Sequence, residues 1–166
     1  MKRNLPGIFM LMIMVLTACA GPKNATSNSD VTYMKMWRTT CFGKCPSYSV
    51  EVYENGLVRY TGMRFVQDSG IYEKNIGAAK AAEVLGSFTK YRVDTLQKEY
   101  KSLIADVPGI NFTFTYGKTT KDVKNAHFGP MFLKALATEV DELVNRPANG
   151  EAPVLDGGWK KKVESR

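Results

Sequence analysis

Residues 47–62 read SYSVEVYENGLVRYTG, and this stretch decides the fold. Apolar and polar side chains alternate on both sides of Glu54-Asn55-Gly56. The apolar positions of the two arms are Val50, Val52, Val58 and Tyr60. Strict alternation around a glycine-containing turn is the pattern of a β-hairpin that buries one face. The stretch therefore predicts two antiparallel strands.

The length of the turn sets the register of this hairpin. A two-residue Asn55-Gly56 turn would place Val52 opposite Arg59 and mix polar with apolar side chains on one face. A three-residue loop, with Gly56 in the left-handed conformation and a bulge, instead places Val52 opposite Val58. We therefore predict the bulged turn, because it keeps the apolar side chains together.

The same patterns extend outward from the hairpin. We expect further strands at 33–37, 70–74, 110–116 and 119–124, the first of them apolar on both faces and so inside the sheet. Two segments switch to the helical period of 3.6 residues. Their apolar stripes are Ala81, Val84, Leu85 and Phe88, then Leu133, Leu136, Ala137, Val140, Leu143 and Val144. Glu139, Asp141 and Glu142 fall off the second stripe.

Strands first, then a helix, two strands and a helix predict an α+β fold. We expect an antiparallel sheet of about five to six strands with two helices packed on one face. Hydrophobic residues make up 44% of the 166 residues and charged residues 23%, which excludes both a wholly disordered chain and a multi-span membrane protein. The length allows one domain of ordinary size.

The first 18 residues have the character of an export signal. Lys2 and Arg3 precede an apolar run, 8–20, which has 13 residues (20 − 8 + 1) and is shorter than the about 18 that a membrane span needs. The run ends in Leu16-Thr17-Ala18-Cys19, which resembles the lipobox of bacterial lipoproteins. The resemblance implies cleavage before Cys19, attachment of acyl chains such as palmitate to Cys19, and permanent membrane anchoring. Ala20 in place of Asp implies, by the same resemblance, sorting to the outer membrane of a bacterial envelope.

The predicted mature chain has three parts. Residues 19–30 form a flexible tether of small and polar residues, 31–146 form a single domain, and 147–166 form a disordered tail after the helix break at Pro147. Removing residues 1–18 leaves 148 residues (166 − 18), with 21 basic against 16 acidic side chains, a formal charge of +5. For an exported protein this favours an envelope protein, an anionic cell-wall polymer or anionic lipid as partner, and no nucleic acid.

Cys41 and Cys45 lie in a turn-like hexapeptide, CFGKCP, between two strands. Outside the cytoplasm a disulfide is expected between them. The alternative is an envelope thiol-disulfide oxidoreductase that uses the same pair, although redox pairs usually have the spacing C-x-x-C and open a helix. A metal site would need four ligands, and only His127 adds to the pair, so we expect no metal and no cofactor.

At these residues the chain resembles a bacterial domain family of unknown function, whose members are often short lipoproteins. The resemblance rests on Cys-Phe-Gly-x-Cys-Pro-x-Tyr at 41–48, on the hairpin with Gly56, and on Val-x-Tyr-x-Gly at 58–62, with Asp106 and Pro108 as a weaker match. It covers about Tyr33 to Val144 and implies no activity and no catalytic residue.

Two further groups complete the candidate chemistry. A hydrolase built on His127 would need a nucleophile and an orienting acid, which the sequence does not place beside it. Glu51, Glu54 and Asp68 could form a carboxylate pair, but acids in hairpins usually lie on solvated faces. We therefore expect a non-enzymatic binding or structural module with no catalytic residue.

Overall fold

The computed structural model describes residues 30–101, 103–104, 107–124 and 128–163. The predictions for the signal, for Cys19, for residues 20–29, for Asp106 and for His127 lie outside the described residues. Among the described residues, no helix has the length and apolar character that crossing a membrane would require.

Seven strands and two α-helices follow one another along the described part of the chain. The strands are β1 (Val31–Arg38), β2 (Ser47–Tyr53), β3 (Leu57–Arg64), β4 (Gly70–Asn75), β5 (Ile110–Tyr116), β6 (Thr119–Val123) and β7 (Lys160–Lys161). Helix α1 (Ala78–Lys90) lies between β4 and β5, and α2 (Phe132–Glu142) follows β6. A short 3-10 turn, Val93–Thr95, lies in the stretch after α1 where the sequence has no clear period.

All seven strands form one sheet in the order β6-β5-β1-β2-β3-β4-β7, with every neighbouring pair antiparallel. The α+β class and the antiparallel sheet are confirmed, and the first strand lies inside the sheet as its two apolar faces predict. The sequence predicts five to six strands, and the described residues contain seven. The additional strand is β7, whose two lysines carry no alternation from which a strand could be predicted.

The predicted register of the hairpin is confirmed. Val52 pairs with Val58 and Val50 with Tyr60, and Gly56 has a φ of 89°, in the left-handed region that glycine tolerates best. The Gly56 amide donates to the Tyr53 carbonyl at 3.0 Å and closes the turn. The close approach of the turn to the start of α1 leaves no room for a side chain at position 56.

The two helices pack on one face of the sheet, and the core lies between them and the strands. The predicted stripe of α1 is buried as expected, and aromatic rings of β5 pack against it: Phe88 lies 5.8 Å from Phe112 and 5.4 Å from Phe114, between ring centroids. Leu133, Leu136, Ala137, Val140 and Val144 of the second stripe are also buried. The other face of the sheet carries no helix among the described residues, and we call it the open face.

The segment after α2 differs from the predicted disordered tail. Within the described part of it, Pro153 is buried, Leu155 and Trp159 pack against the core, and β7 pairs with β4. The reason is that helices α1 and α2 leave the side of the sheet at β3 and β4 uncovered, so apolar side chains there stabilise a segment that has little pattern of its own.

Candidate functional site

The loop between β1 and β2 is closed by a disulfide. The structure contains the Cys41–Cys45 bond, with the two Cα atoms 5.6 Å apart. Inside the loop, the Gly43 amide donates to Cys41 Sγ at 3.3 Å. Cys45 and Pro46 lead into a strand and not into a helix, so no helix dipole acts on these sulfur atoms.

Phe42 is the unusual residue of this loop, because it is 93% exposed. Its neighbours Gly43 and Lys44 are exposed as well, whereas both cysteines are half-buried. An apolar ring held this far out of the core adds nothing to the packing of the domain. The loop therefore presents an aromatic group on a covalently closed support.

A buried cluster of charged and polar groups fixes the base of the loop. Asp141 of α2 accepts hydrogen bonds from Tyr48 Oη at 2.6 Å and from Arg38 Nε at 3.1 Å, and Arg146 Nη1 lies 3.4 Å from Asp141 Oδ2. Arg38 comes three residues before Cys41 and Tyr48 three residues after Cys45. Both arms of the loop are thus tied to one helix. Burial, and then the negative charge of Asp141, raises the pKa of Tyr48, which keeps the phenol protonated.

Asp141 lies off the apolar stripe of its helix, yet it is buried. It is 5% exposed, and its partner Arg38 lies 103 residues earlier in the chain. Nothing local to α2 signals this pairing. Arg38 and Asp141 lie in two distant segments of the chain, and only the complete fold brings them together.

Glu51 is the centre of a second cluster, on the open face. Glu51 is only 8% exposed, and it accepts hydrogen bonds from Tyr53 Oη at 2.6 Å and from Tyr33 Oη at 3.2 Å. Two cations lie near its carboxylate, Lys35 Nζ at 3.6 Å and Arg59 Nη1 at 3.8 Å. Of the three acids weighed from sequence, Glu51 is therefore buried. Asp68 accepts instead from the Leu155 amide, and Glu54 is exposed.

The charges on the open face form a row across the strands. The strand registers place Asp122, Thr113, Lys35, Glu51, Arg59, Glu73 and Lys160 side by side. Opposite charges alternate through most of this row, and Arg59 Nη2 lies 2.8 Å from Glu73 Oε1. Hydrogen bonding to Arg59 lowers the pKa of Glu73. Because these charges neutralise one another, the row is stable without a ligand.

Trp37 lies beside this row, 42% exposed, at a shallow cavity of about 280 Å³. Lys35, Thr113 and Asp122 also line the cavity. Among the described residues, no three His, Cys, Asp or Glu side chains gather to hold a metal ion.

The fold and these clusters define a small open-faced α+β domain with a disulfide loop at one end of its sheet. Residues 32–144 match the family described as a domain of unknown function (DUF6438), and the chain belongs to that family. This agrees with the predicted domain of unknown function. No curated protein matches the chain.

Proposed function

We propose that the protein is a lipid-anchored bacterial envelope protein, held at the outer membrane through Cys19, whose domain binds a partner protein through the disulfide loop. The observation that carries the binding proposal is the exposure of Phe42, 93%, on a closed loop whose base is tied to α2. Large aromatic anchors dominate the binding energy of protein interfaces. A rigid support lowers the entropy that such an anchor loses on binding.

A second exposed aromatic ring supports the same surface. Phe65 follows β3, whose end lies beside the start of β2, because Ser47 pairs with Arg64. Phe65 has a φ of 54°, which is strained for a bulky side chain, and is 45% exposed. The guanidinium of Arg64 lies 5.4 Å from its ring centroid. Strain that persists at an exposed aromatic residue is typical of functional sites.

The disulfide loop lies far from the proposed anchor, where a partner protein can reach it. Val31 opens β1 12 residues after Cys19 (31 − 19), and β1 then runs to the disulfide loop. Eight residues of strand span about 26 Å, so the loop lies at the far end of the sheet from the tether. A protein with an apolar pocket suits the loop better than an anionic polymer, since Lys44 is the only charged residue of 39–46.

The anchor is tested by lipid labelling and fractionation. We expect the native chain to incorporate labelled palmitate and to fractionate with outer membranes. The Cys19→Ser variant should lose the label and leave the membrane fraction. A variant that remained membrane-bound, or a native chain without lipid, would overturn the anchor.

The binding surface is tested with a photoreactive residue at position 42 in cells. Position 131 is the matched control, because Met131 is also apolar and 86% exposed but lies at the start of α2. We expect an adduct of one defined mass from position 42 alone, suppressed by purified native protein and not by its Phe42→Ala variant. Equal adducts at both positions, or none, would refute this surface.

The redox alternative predicts the opposite behaviour of the two sulfur atoms. If the pair is structural, alkylating reagent near neutral pH should label neither Cys41 nor Cys45 until a reductant is added. Labelling of either cysteine in untreated native membranes would favour thiol-disulfide exchange over the binding role.

A further inference from the structure

The described residues after the turn at 147–150, which we call the C-terminal segment (151–163), contact the sheet in two ways. The Trp159 ring lies edge-on to Tyr60, 6.3 Å between centroids, with Lys74 Nζ 5.9 Å from the Trp159 ring centroid. Directly after it, Lys160 and Lys161 pair with β4. An aromatic anchor combined with strand pairing is how extended peptides bind at the edge of a sheet.

The C-terminal segment lies outside the shared domain. The family match ends at residue 144, before the segment begins. Without it, β4 would be the outer strand on that side, and Tyr60, Tyr72 and Lys74 would line an open groove. The groove thus belongs to the domain, and the segment behaves as a ligand carried on the same chain.

The polar attachments of the segment are few and mostly exposed, whereas Pro153 is buried and Leu155 and Trp159 pack against the core. The ladder with β4 has two residue pairs, and the ion pairs are Lys74 with Asp156, 3.0 Å, and Lys162 with Glu73, 3.2 Å. Exposed ion pairs of this kind add little stability.

Two buried polar atoms oppose the packing of the segment. Among the described residues, Tyr60 Oη and Trp159 Nε1 are buried without a hydrogen-bond partner, which destabilises the packed state. The polar contacts of the segment are therefore weak, and its apolar side chains hold it in the groove.

The turn at 147–150 is the point at which the C-terminal segment could swing away from the sheet. Arg146 is held by Asp141, and its Nη2 donates to the Gly150 carbonyl at 2.9 Å, so the turn before the segment is fixed to α2. Gly150 has a φ of 87°, and the chain from there to Leu155 forms neither helix nor strand. A change at this point would redirect the segment and leave the domain intact.

We propose that the groove beside β4 binds the C-terminal segment of a second copy of this chain, so that two molecules pair by exchanging residues 151–163. The contacts within one chain and between two chains are the same, which makes exchange a route to dimers that needs no new interface. The proposal rests in part on the proposed anchor, because confinement to a membrane raises the local concentration that favours pairing between chains.

Paired cysteines on two differently tagged chains test the exchange. Glu73 and Lys160 are register partners across β4 and β7, so Glu73→Cys on one chain and Lys160→Cys on the other meet only if the segment crosses over. The chains are expressed together at full length and treated with a short thiol crosslinker. We expect several-fold more mixed dimer than from Glu73→Cys with Lys118→Cys, whose cysteine lies in the β5–β6 turn at the opposite side of the sheet.

Two further measurements make the result decisive. A chain with both Glu73→Cys and Lys160→Cys should form the crosslink, within one chain or as a covalent dimer, which checks that positions 73 and 160 meet. A peptide of residues 151–163 should suppress the mixed dimer, whereas its Trp159→Ala form should not. Mixed dimer no greater than the Lys118 control, a double-cysteine chain that forms no crosslink at all, or indifference to the native peptide would each overturn the exchange. If the chains leave the membrane fraction, the anchor has failed, and the same assay on concentrated purified protein decides the exchange by itself.

Discussion

Tyr48 and Tyr60 lie side by side on the helix-covered face, 5.7 Å between ring centroids, but their hydroxyl groups differ in environment. Tyr48 Oη donates to Asp141, whereas Tyr60 Oη has no partner among the described residues. A hydrogen bond to a charged group contributes about 1.5–3 kcal/mol, and a buried hydroxyl without a partner opposes folding.

The pair gives a prediction with a built-in control. Tyr48→Phe should lower the free energy of unfolding by about 1.5–3 kcal/mol, because Asp141 loses a donor inside the protein. Tyr60→Phe should leave it unchanged or raise it by about 1 kcal/mol, because only a desolvated hydroxyl is removed. Urea unfolding of both variants measures the difference. Equal losses would mean that the Tyr60 hydroxyl does have a partner.

Single residues were predictable where their role depends on neighbours in sequence. The conformation of Gly56 follows from the alternation on both sides of it, and the structure confirms it. Asp141 and Glu51 could not be placed in the same way, since their burial depends on partners from other elements. An acidic side chain beside an apolar stripe has the same pattern whether water or an arginine meets it.

At the scale of elements, we expect a change of glycine to alanine to have opposite effects on stability at two positions. A Cβ at Gly56 would lie 2.5 Å from the Gly77 carbonyl carbon, whereas a Cβ at Gly86, inside α1, meets nothing within 4 Å. Gly56→Ala should therefore destabilise the protein by about 2–4 kcal/mol through backbone strain and overlap. Gly86→Ala should stabilise it by up to about 1 kcal/mol, as alanine favours helix. Thermal and urea unfolding compare them, and a harmless Gly56→Ala would refute the close contact between the turn and α1.

The disulfide loop gives a second prediction at this scale. In the chain-entropy model, closing so short a loop contributes about 2 kcal/mol, so reduction should lower the free energy of unfolding by that amount and leave the domain folded. Urea unfolding with and without reductant tests this. A chain with Cys41→Ala and Cys45→Ala is the control and should not respond to reductant. Complete unfolding on reduction would show that the bond supports more than its loop.

Elements with a repeating pattern were predictable, and elements formed only by tertiary contact were not. The hairpin and both helices bury the positions that their periods indicate. Strand β7 consists of Lys160 and Lys161 and forms because β4 offers unpaired backbone groups and Trp159 finds an apolar surface. Neither cause is present in the local sequence.

For the whole molecule, the tyrosines predict how stability depends on pH. Burial raises the pKa of Tyr33, Tyr48 and Tyr60, and burial together with the nearby Glu51 raises the pKa of Tyr53 to about 12. In the unfolded chain these phenols ionise near pH 10. Since the folded pKa values are the higher ones, this contribution to stability is complete below about pH 10 and is lost as the pH rises.

We therefore expect alkaline unfolding, with formation of tyrosinate by these four residues coupled to loss of structure. Ultraviolet absorbance of tyrosinate and near-ultraviolet circular dichroism, recorded on the same pH titration, should change together for this part of the signal. The chain has eight tyrosines, so a fraction that titrates early from exposed sites is compatible with the prediction. Complete titration near pH 10 with the dichroism intact would contradict it.

The position of β1 has a consequence for the time course of folding. It is the first strand of the described residues but an inner one of the sheet, with β2 on one side and β5 on the other. β2 arrives after a loop of eight residues (39–46), whereas β5 begins only at Ile110, after three further strands and a helix. Such distant pairing slows folding, to about milliseconds to seconds in domains of this kind. Strands β1 to β4 can therefore assemble as a meander while the other edge of β1 stays unpaired until residues 110–116 have been made.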